Sequence, residues 1–227
     1  VYHARAANSL ASAELREFLP SMVKDAYRFG LPPIVVGLLC LIPRWYWATG
    51  LLVLLGLFVF YFFRDPDRAI PTASGTVVSP ADGRVVAIVE ETLDEVMGRR
   101  ISIFLSIFNV HVQRAPFAGK IVKVVYKPGK FLGAYRSSAS LLNEQNVIYM
   151  DTLQGRVVFK QIAGAIARRV LCWKNEGETV ALGERVGMIR FGSRVDIWLP
   201  MDAQIVAKQG QMVYGGESVL AKWNSIN

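Results

Sequence analysis

Residues 29–63 carry a single charge, Arg44, and this stretch limits most strongly what the chain can fold into. Pro43 and Arg44 divide it. The first part, 29–43, includes Ile34-Val35-Val36-Gly37-Leu38-Leu39. The second, Trp45 to Phe63, has Leu51-Leu52-Val53-Leu54-Leu55 at its centre and approaches the roughly 20 residues a spanning helix needs. The first reaches that length only when extended from Tyr27. A buried core hairpin would need a large apolar cover, and nothing later in the chain offers one. A cleaved signal peptide fits poorly, because the apolar region starts too deep and runs into Arg64-Asp65-Pro66. The expectation is a helical hairpin in the bilayer, spanning or re-entrant. Residues 9–28 form a candidate surface helix before it.

Charge supports this placement. The chain has 227 residues, 52% hydrophobic, and a formal charge of +8. Such a balance implies an anionic partner. The basic residues are scattered, without stacking aromatics or a nucleic-acid motif, so the expected partner is an anionic membrane rather than nucleic acid. Lys24 and Arg28 flank one end of the apolar stretch, and Arg64 and Arg68 the other. The positive-inside tendency then puts the remainder on the cytoplasmic face of the cell (inner) membrane. Trp45, Tyr46, Trp47, Tyr61, Phe62 and Phe63 suit interfacial anchoring. The two cysteines, Cys40 and Cys172, have neither metal-ligand nor disulfide spacing and read as packing residues. No Cys/His cluster suggests a metal.

From Arg64 the texture changes. Short β-branched runs alternate with Gly, Pro and Asp turns: 75–78, 83–88, 101–105, 119–125, 147–150, 156–162, 195–199 and 218–223. This spacing predicts a mainly β, sandwich- or barrel-like domain over 64–227, after an α-helical hairpin domain over 1–63. Residues 163–169 fit one or two helical turns. Two strand–Gly–turn–strand units, 119–131 and 204–217, echo each other and resemble lipoyl-type sandwich domains. A membrane-tethered lipoyl- or biotinyl-like carrier is therefore one alternative, although no Lys lies in the right turn. A scaffold without chemistry is another. Residues 129–146 show no strand pattern and mix apolar and basic groups, as a lid near lipid would.

Three segments hold the candidate chemistry. They are Ser79-Pro80-Ala81-Asp82-Gly83-Arg84, then Phe104-Leu105-Ser106-Ile107-Phe108-Asn109-Val110-His111-Val112-Gln113-Arg114-Ala115-Pro116, then Arg190-Phe191-Gly192-Ser193-Arg194-Val195-Asp196. By themselves, Gly192-Ser193 reads as a strand bend, Asp82-Gly83 as a turn and His111 as a half-buried strand histidine. Apart from His3 near the N-terminus, His111 is the one imidazole.

Together and in this order, the three segments resemble the phosphatidylserine decarboxylases, in particular the short bacterial form with an N-terminal hairpin. Archaeal relatives acting on archaetidylserine look similar. The resemblance implies a chain that cuts itself between Gly192 and Ser193 and turns Ser193 into a pyruvoyl cofactor. The fragments 1–192 and 193–227 would stay associated, as a single pair or as a homo-oligomer of pairs. The substrate would be phosphatidylserine, the products phosphatidylethanolamine and CO₂. The resemblance assigns His111 as the acid of decarboxylation. Arg114 stands where longer relatives carry a second histidine. Two candidates for the base in self-cleavage follow: His111 oriented by Asp82, or Asp82 acting with backbone strain. On charge and position, Arg114, Asn109, Arg136 and Arg194 are candidates for holding the substrate, with Arg190 a further cation beside Gly192-Ser193.

Overall fold

The computed structural model describes residues 21–133, 139–165, 169–190 and 192–223. Most of the expected surface helix over 9–28 and the candidate Arg136 lie outside the described residues. The chain divides into two compact units, Val1–Asp67 and Arg68–Asn227.

The first unit is a helical hairpin. Helix α1 (Asp25–Leu39) and helix α2 (Tyr46–Phe62) are joined by a turn in which Arg44 takes φ +59°. Small residues let the two backbones approach. A Cβ on Gly56 would fall 2.3 Å from Ile34 Cγ1 and 2.8 Å from Gly30 O, and one on Gly30 would strike the Phe60 ring. Tyr27 meets Phe60 edge-on at 5.7 Å. A two-residue strand β1 (Ser21–Met22) pairs with β2 (Arg64–Asp65) and ties the hairpin's ends. At 1.5 Å per residue the helices span about 23 and 26 Å. Among the described residues no helix is long and apolar enough to cross a membrane.

The second unit is mainly β. Its strands are β3 (Thr76–Val78), β4 (Gly83–Leu93), β5 (Val96–Leu105), β6 (Val112–Arg114), β7 (Gly119–Lys127), β8 (Gln145–Thr152) and β9 (Gly155–Ala163). There follow β10 (Arg169–Cys172), β11 (Thr179–Val180), β12 (Arg185–Arg190), β13 (Ser193–Pro200), β14 (Gln204–Ile205), β15 (Met212–Val213) and β16 (Val219–Lys222). A four-residue helix α3 (Ala139–Leu142) lies between β7 and β8. Eight strands form one antiparallel sheet in the order β11-β7-β8-β9-β13-β5-β4-β15, and two three-stranded sheets, β10-β12-β6 and β14-β16-β3, accompany it.

Strand alternation gives the large sheet two unlike faces. Val195, Ile197 and Leu199 of β13 join Phe159, Ile103 and Ile101 in the main core. The same core takes in Val170, Val186 and Ile189 of one small sheet and Leu220 and Ala221 of the other. On the opposite face Val147, Val158 and Trp198 form a separate apolar cluster. The mainly β expectation holds, with differences in detail. Residues 163 and 169 belong to strands β9 and β10 rather than to a helical turn. Of the echoing units, 119–131 contributes β7 to the large sheet, whereas 204–217 divides between a small sheet (β14) and the large one (β15).

Ile197 is fully buried at the centre of the large sheet. Ile197→Ala removes packed methylene groups and leaves a cavity, so it should lower unfolding free energy by about 2–5 kcal/mol. The shift of the urea midpoint followed by tryptophan fluorescence measures this.

Candidate active site

The chain changes sheets at Gly192. Strand β12 belongs to the small β10-β12-β6 sheet, and β13 is a central strand of the large one. Gly192 sits between them at φ +54°. A Cβ there would meet nothing within 4 Å, so the demand for glycine comes from the backbone and not from crowding. Ser193 then pairs with Leu105 on one side and Ala163 on the other. Its side chain shares a face with Val195 and points into the core. The residue is fully buried, and its Oγ has no hydrogen-bond partner among the described residues. A buried hydroxyl left unpaired costs about 1–3 kcal/mol.

His111, also fully buried, stands just before β6. Its Nδ1 lies 2.9 Å from Asn109 O. A carbonyl can only accept, so Nδ1 carries the proton and the neutral ring has its lone pair on Nε2. Asn109 Oδ1 in turn accepts from Ser106 N and Ser106 Oγ, which fixes the turn. Ile189 N donates to His111 O at 3.3 Å, tying the histidine backbone to the strand that leads into Gly192. A buried polar seam continues from there. Gln113 Nε2 donates to His111 O at 2.7 Å, and Gln161 Nε2 donates to Gln113 Oε1 at 2.9 Å. Gln161 pairs with Val195, two residues beyond Ser193.

Asp82 immediately precedes β4. Arg68 Nη2 reaches both carboxylate oxygens at 3.0 Å, and Gly215 N donates to Oδ1 at 2.8 Å. Both side chains of the ion pair are buried. Arg84 of β4 pairs with Phe104, which pairs with Arg194. The start of β4, the end of β5 and the start of β13 therefore share one edge of the sheet. With adjacent strands about 4.8 Å apart, the β4 and β13 axes lie about 10 Å from each other. Arg114 N donates to Pro80 O at 2.9 Å, so the first two sequence segments are neighbours.

The other candidates divide. Arg114 is buried and donates from Nη1 to Gly183 O at 3.1 Å. Arg194 lies on the face opposite Ser193. Its Nε donates to Asp196 Oδ1 and its Nη2 to Ser102 Oγ, both at 2.6 Å. Arg100 lies 3.6 Å from Asp196 Oδ2 and also engages Ser102 Oγ and Glu91, while Ser140 Oγ donates to Asp196 Oδ2 at 2.6 Å. This network commits Arg194 to holding β13. Lys160, across from Asp196, has its ammonium pushed down by burial. Burial likewise raises the Cys172 thiol, which makes it a poor nucleophile at neutral pH. Among the described residues no group of three His, Cys, Asp or Glu could hold a metal ion.

Sequence reasoning missed Arg68, read as a membrane-flanking cation, and the glutamines of the seam. For Gln161 a signal existed. Val157 and Phe159 set the inward phase of β9, and Gln161 continues it.

The polar seam of Gln113 and Gln161 thus joins the His111 segment to the strand that carries the buried Ser193. Comparison with known proteins gives the family. The family model described as phosphatidylserine decarboxylase matches residues 55–221. A phosphatidylserine decarboxylase proenzyme of Magnetococcus marinus is 42% identical over 206 residues, covering 88% of this chain and 94% of the relative. Proenzymes of the same description from Azorhizobium caulinodans (42% over 217 residues, 93% of each chain) and Syntrophus aciditrophicus (42% over 202 residues, 85% and 95%) are similarly close. The chain belongs to the phosphatidylserine decarboxylase family.

Removing Arg68 would leave the Asp82 carboxylate buried with only Gly215 N. Arg68→Met should therefore destabilise the second unit by about 3–5 kcal/mol. A denaturation midpoint lowered to that extent, against an unchanged midpoint for the exposed control Arg156→Met, is the expected reading.

Proposed function

We propose that the chain decarboxylates phosphatidylserine to phosphatidylethanolamine, using a pyruvoyl group generated from Ser193 after self-cleavage at Gly192–Ser193. The single observation that carries this reading is the buried Ser193 Oγ, without a hydrogen-bond partner among the described residues, directly after a left-handed glycine. A hydroxyl buried without a partner among the described residues, next to a half-buried glycine, fits a group held for attack on its own peptide.

The cleavage runs as follows. Ser193 Oγ attacks the Gly192 carbonyl carbon while a base takes its proton. The C–N bond breaks, the acyl group passes to oxygen, and an ester and a free amine result. Loss of the Ser193 Cα proton expels the Gly192 carboxylate by β-elimination. Water then replaces the nitrogen, which leaves as ammonia. Once formed, the pyruvoyl carbonyl supplies an electron sink for the electrons released with CO₂. His111 is the candidate for the proton steps, with Nδ1–H fixed by Asn109 O and the basic pair on Nε2. Asp82, held by Arg68 and Gly215, shapes the same edge of the sheet. Gln113 and Gln161 hold the layer that encloses both.

The two fragments would remain one particle. Three of the four strands after the cut pair with earlier chain, and β14 pairs with one of them, β16. Strand β13 pairs with β5 and β9, β15 with β4, and β16 with β3. The hairpin would enter the bilayer on the cytoplasmic side of the inner membrane. Support comes from helices with large exposed apolar side chains, among them Leu38, Leu39, Ile42, Trp47, Leu51 and Leu54.

Denaturing electrophoresis of the wild-type chain should show a fragment of about 4 kDa, in proportion to 25.2 kDa for 227 residues. Ser193→Ala should give one uncut band and no CO₂ release from phosphatidylserine. If Ser193→Ala still splits and decarboxylates, the assignment of Ser193 fails.

A further inference from the structure

Residues 126–131 and helix α3 lie side by side. Lys130 N donates to Leu142 O at 2.7 Å, and Glu144 N donates to Lys130 O at 3.1 Å. Between them they present Tyr126, Phe131, Leu141 and Leu142 to the outside, exposed at 56, 41, 79 and 47%. Lys127 and Lys130 are exposed within the same patch. Within 126–133 and 139–144 the one acid is Glu144, and it is buried. Scattered apolar side chains on a surface need no account, but four on two hydrogen-bonded segments, accompanied by two lysines, do.

The patch is fixed to the strands around Ser193. Asn143, 1% exposed, donates from Nδ2 to Ala163 O at 2.7 Å and to Leu132 O at 2.8 Å, and its Oδ1 accepts from Leu132 N at 2.9 Å. Ala163 is the β9 partner of Ser193. Ser140 Oγ binds Asp196 on β13. Two buried side chains thus hold the underside of the patch to both strands at the centre.

We propose that this patch is the face by which the catalytic unit rests on an anionic bilayer. Phe131, Leu141 and Leu142 enter the headgroup–acyl boundary, and Tyr126 lies at its level. Lys127 and Lys130 lay their stems along the apolar groups and place their ammonium groups among lipid phosphates. The purpose, though not the geometry, rests on the lipid-substrate reading: a substrate embedded in lipid has to reach a buried serine, and the patch brings that part of the sheet to the lipid.

The test uses the full chain carrying Leu141→Trp and vesicles of phosphatidylglycerol with brominated acyl chains. The emission added over the parent should be blue-shifted and quenched, and less so on phosphatidylcholine vesicles. The proposal is overturned if the added emission stays unquenched while the parent's own tryptophans are quenched. It is also overturned if Leu141→Ser instead dissolves a dimer in sedimentation, which makes a second copy the occupant. Lys127→Glu with Lys130→Glu provides a kinetic arm. Turnover of phosphatidylserine in anionic vesicles should fall by about tenfold or more, from roughly fivefold attraction per lysine, and turnover of a monomeric short-chain analogue should not change. An equal fall on both substrates assigns the lysines to the centre and overturns docking. A parent chain that turns over neither substrate counts against the decarboxylase reading alone, because the fluorescence reports docking without it.

Discussion

A single change of sheet at Gly192 governs the arrangement of this molecule. The backbone leaves a small sheet and becomes a central strand of a large one within two residues. Such a turn needs a left-handed residue, and the glycine supplies it. The next side chain is then carried inward by strand alternation, and Ser193 is buried without a partner for its hydroxyl among the described residues. The unpaired group is an energetic cost of folding. Pairing of β13 on both sides offsets it, as does the packing of Val195, Ile197 and Leu199.

Alternation also divides the duties of neighbours. Ser193 faces the core and the histidine-bearing sheet. Arg194 and Asp196 face away and interlock with Ser102, Arg100 and Ser140. That outer network does not depend on the Gly192–Ser193 bond. It therefore fits a protein whose central strand must keep its register after that bond is lost. The inner seam of Gln113 and Gln161 joins the histidine segment to the strand beside the serine, so both layers hold the centre from different sides.

Much of the fold was legible in the sequence, because the β-branched runs between turn residues mark most long strands of the large sheet. Two short strands, β3 and β16, were marked in the same way, but others were not. Arg185–Arg190 and Val112–Arg114 lie in pieces whose pairing comes from distant chain, and no local period announces them. Residues 188–196 read as one stretch, yet they belong to two sheets, since a φ of +54° at Gly192 leaves no mark beyond the glycine itself. Of the candidate residues, Ser193, His111 and Asp82 fall along one end of the layers. Arg194 turns to the other face, which the one-residue offset from Ser193 already implies. Arg68 was legible as a charge and not as the partner of Asp82, because that pairing exists only after β4 and the Gly215 turn come together. The hairpin's apolar character was plain, but its helices are shorter than the run of letters, as the 40–45 turn and the exit at 63 each consume residues.

The most direct measurement is the intact mass of the peptide that begins at residue 193, taken from catalytically active material. The account predicts a peptide ending at Asn227 that is lighter by one ammonia than the encoded sequence and that gains hydrogen on borohydride reduction. Active protein in which residue 193 remains an ordinary serine, either amide-linked to Gly192 or carrying a free amine, would contradict it.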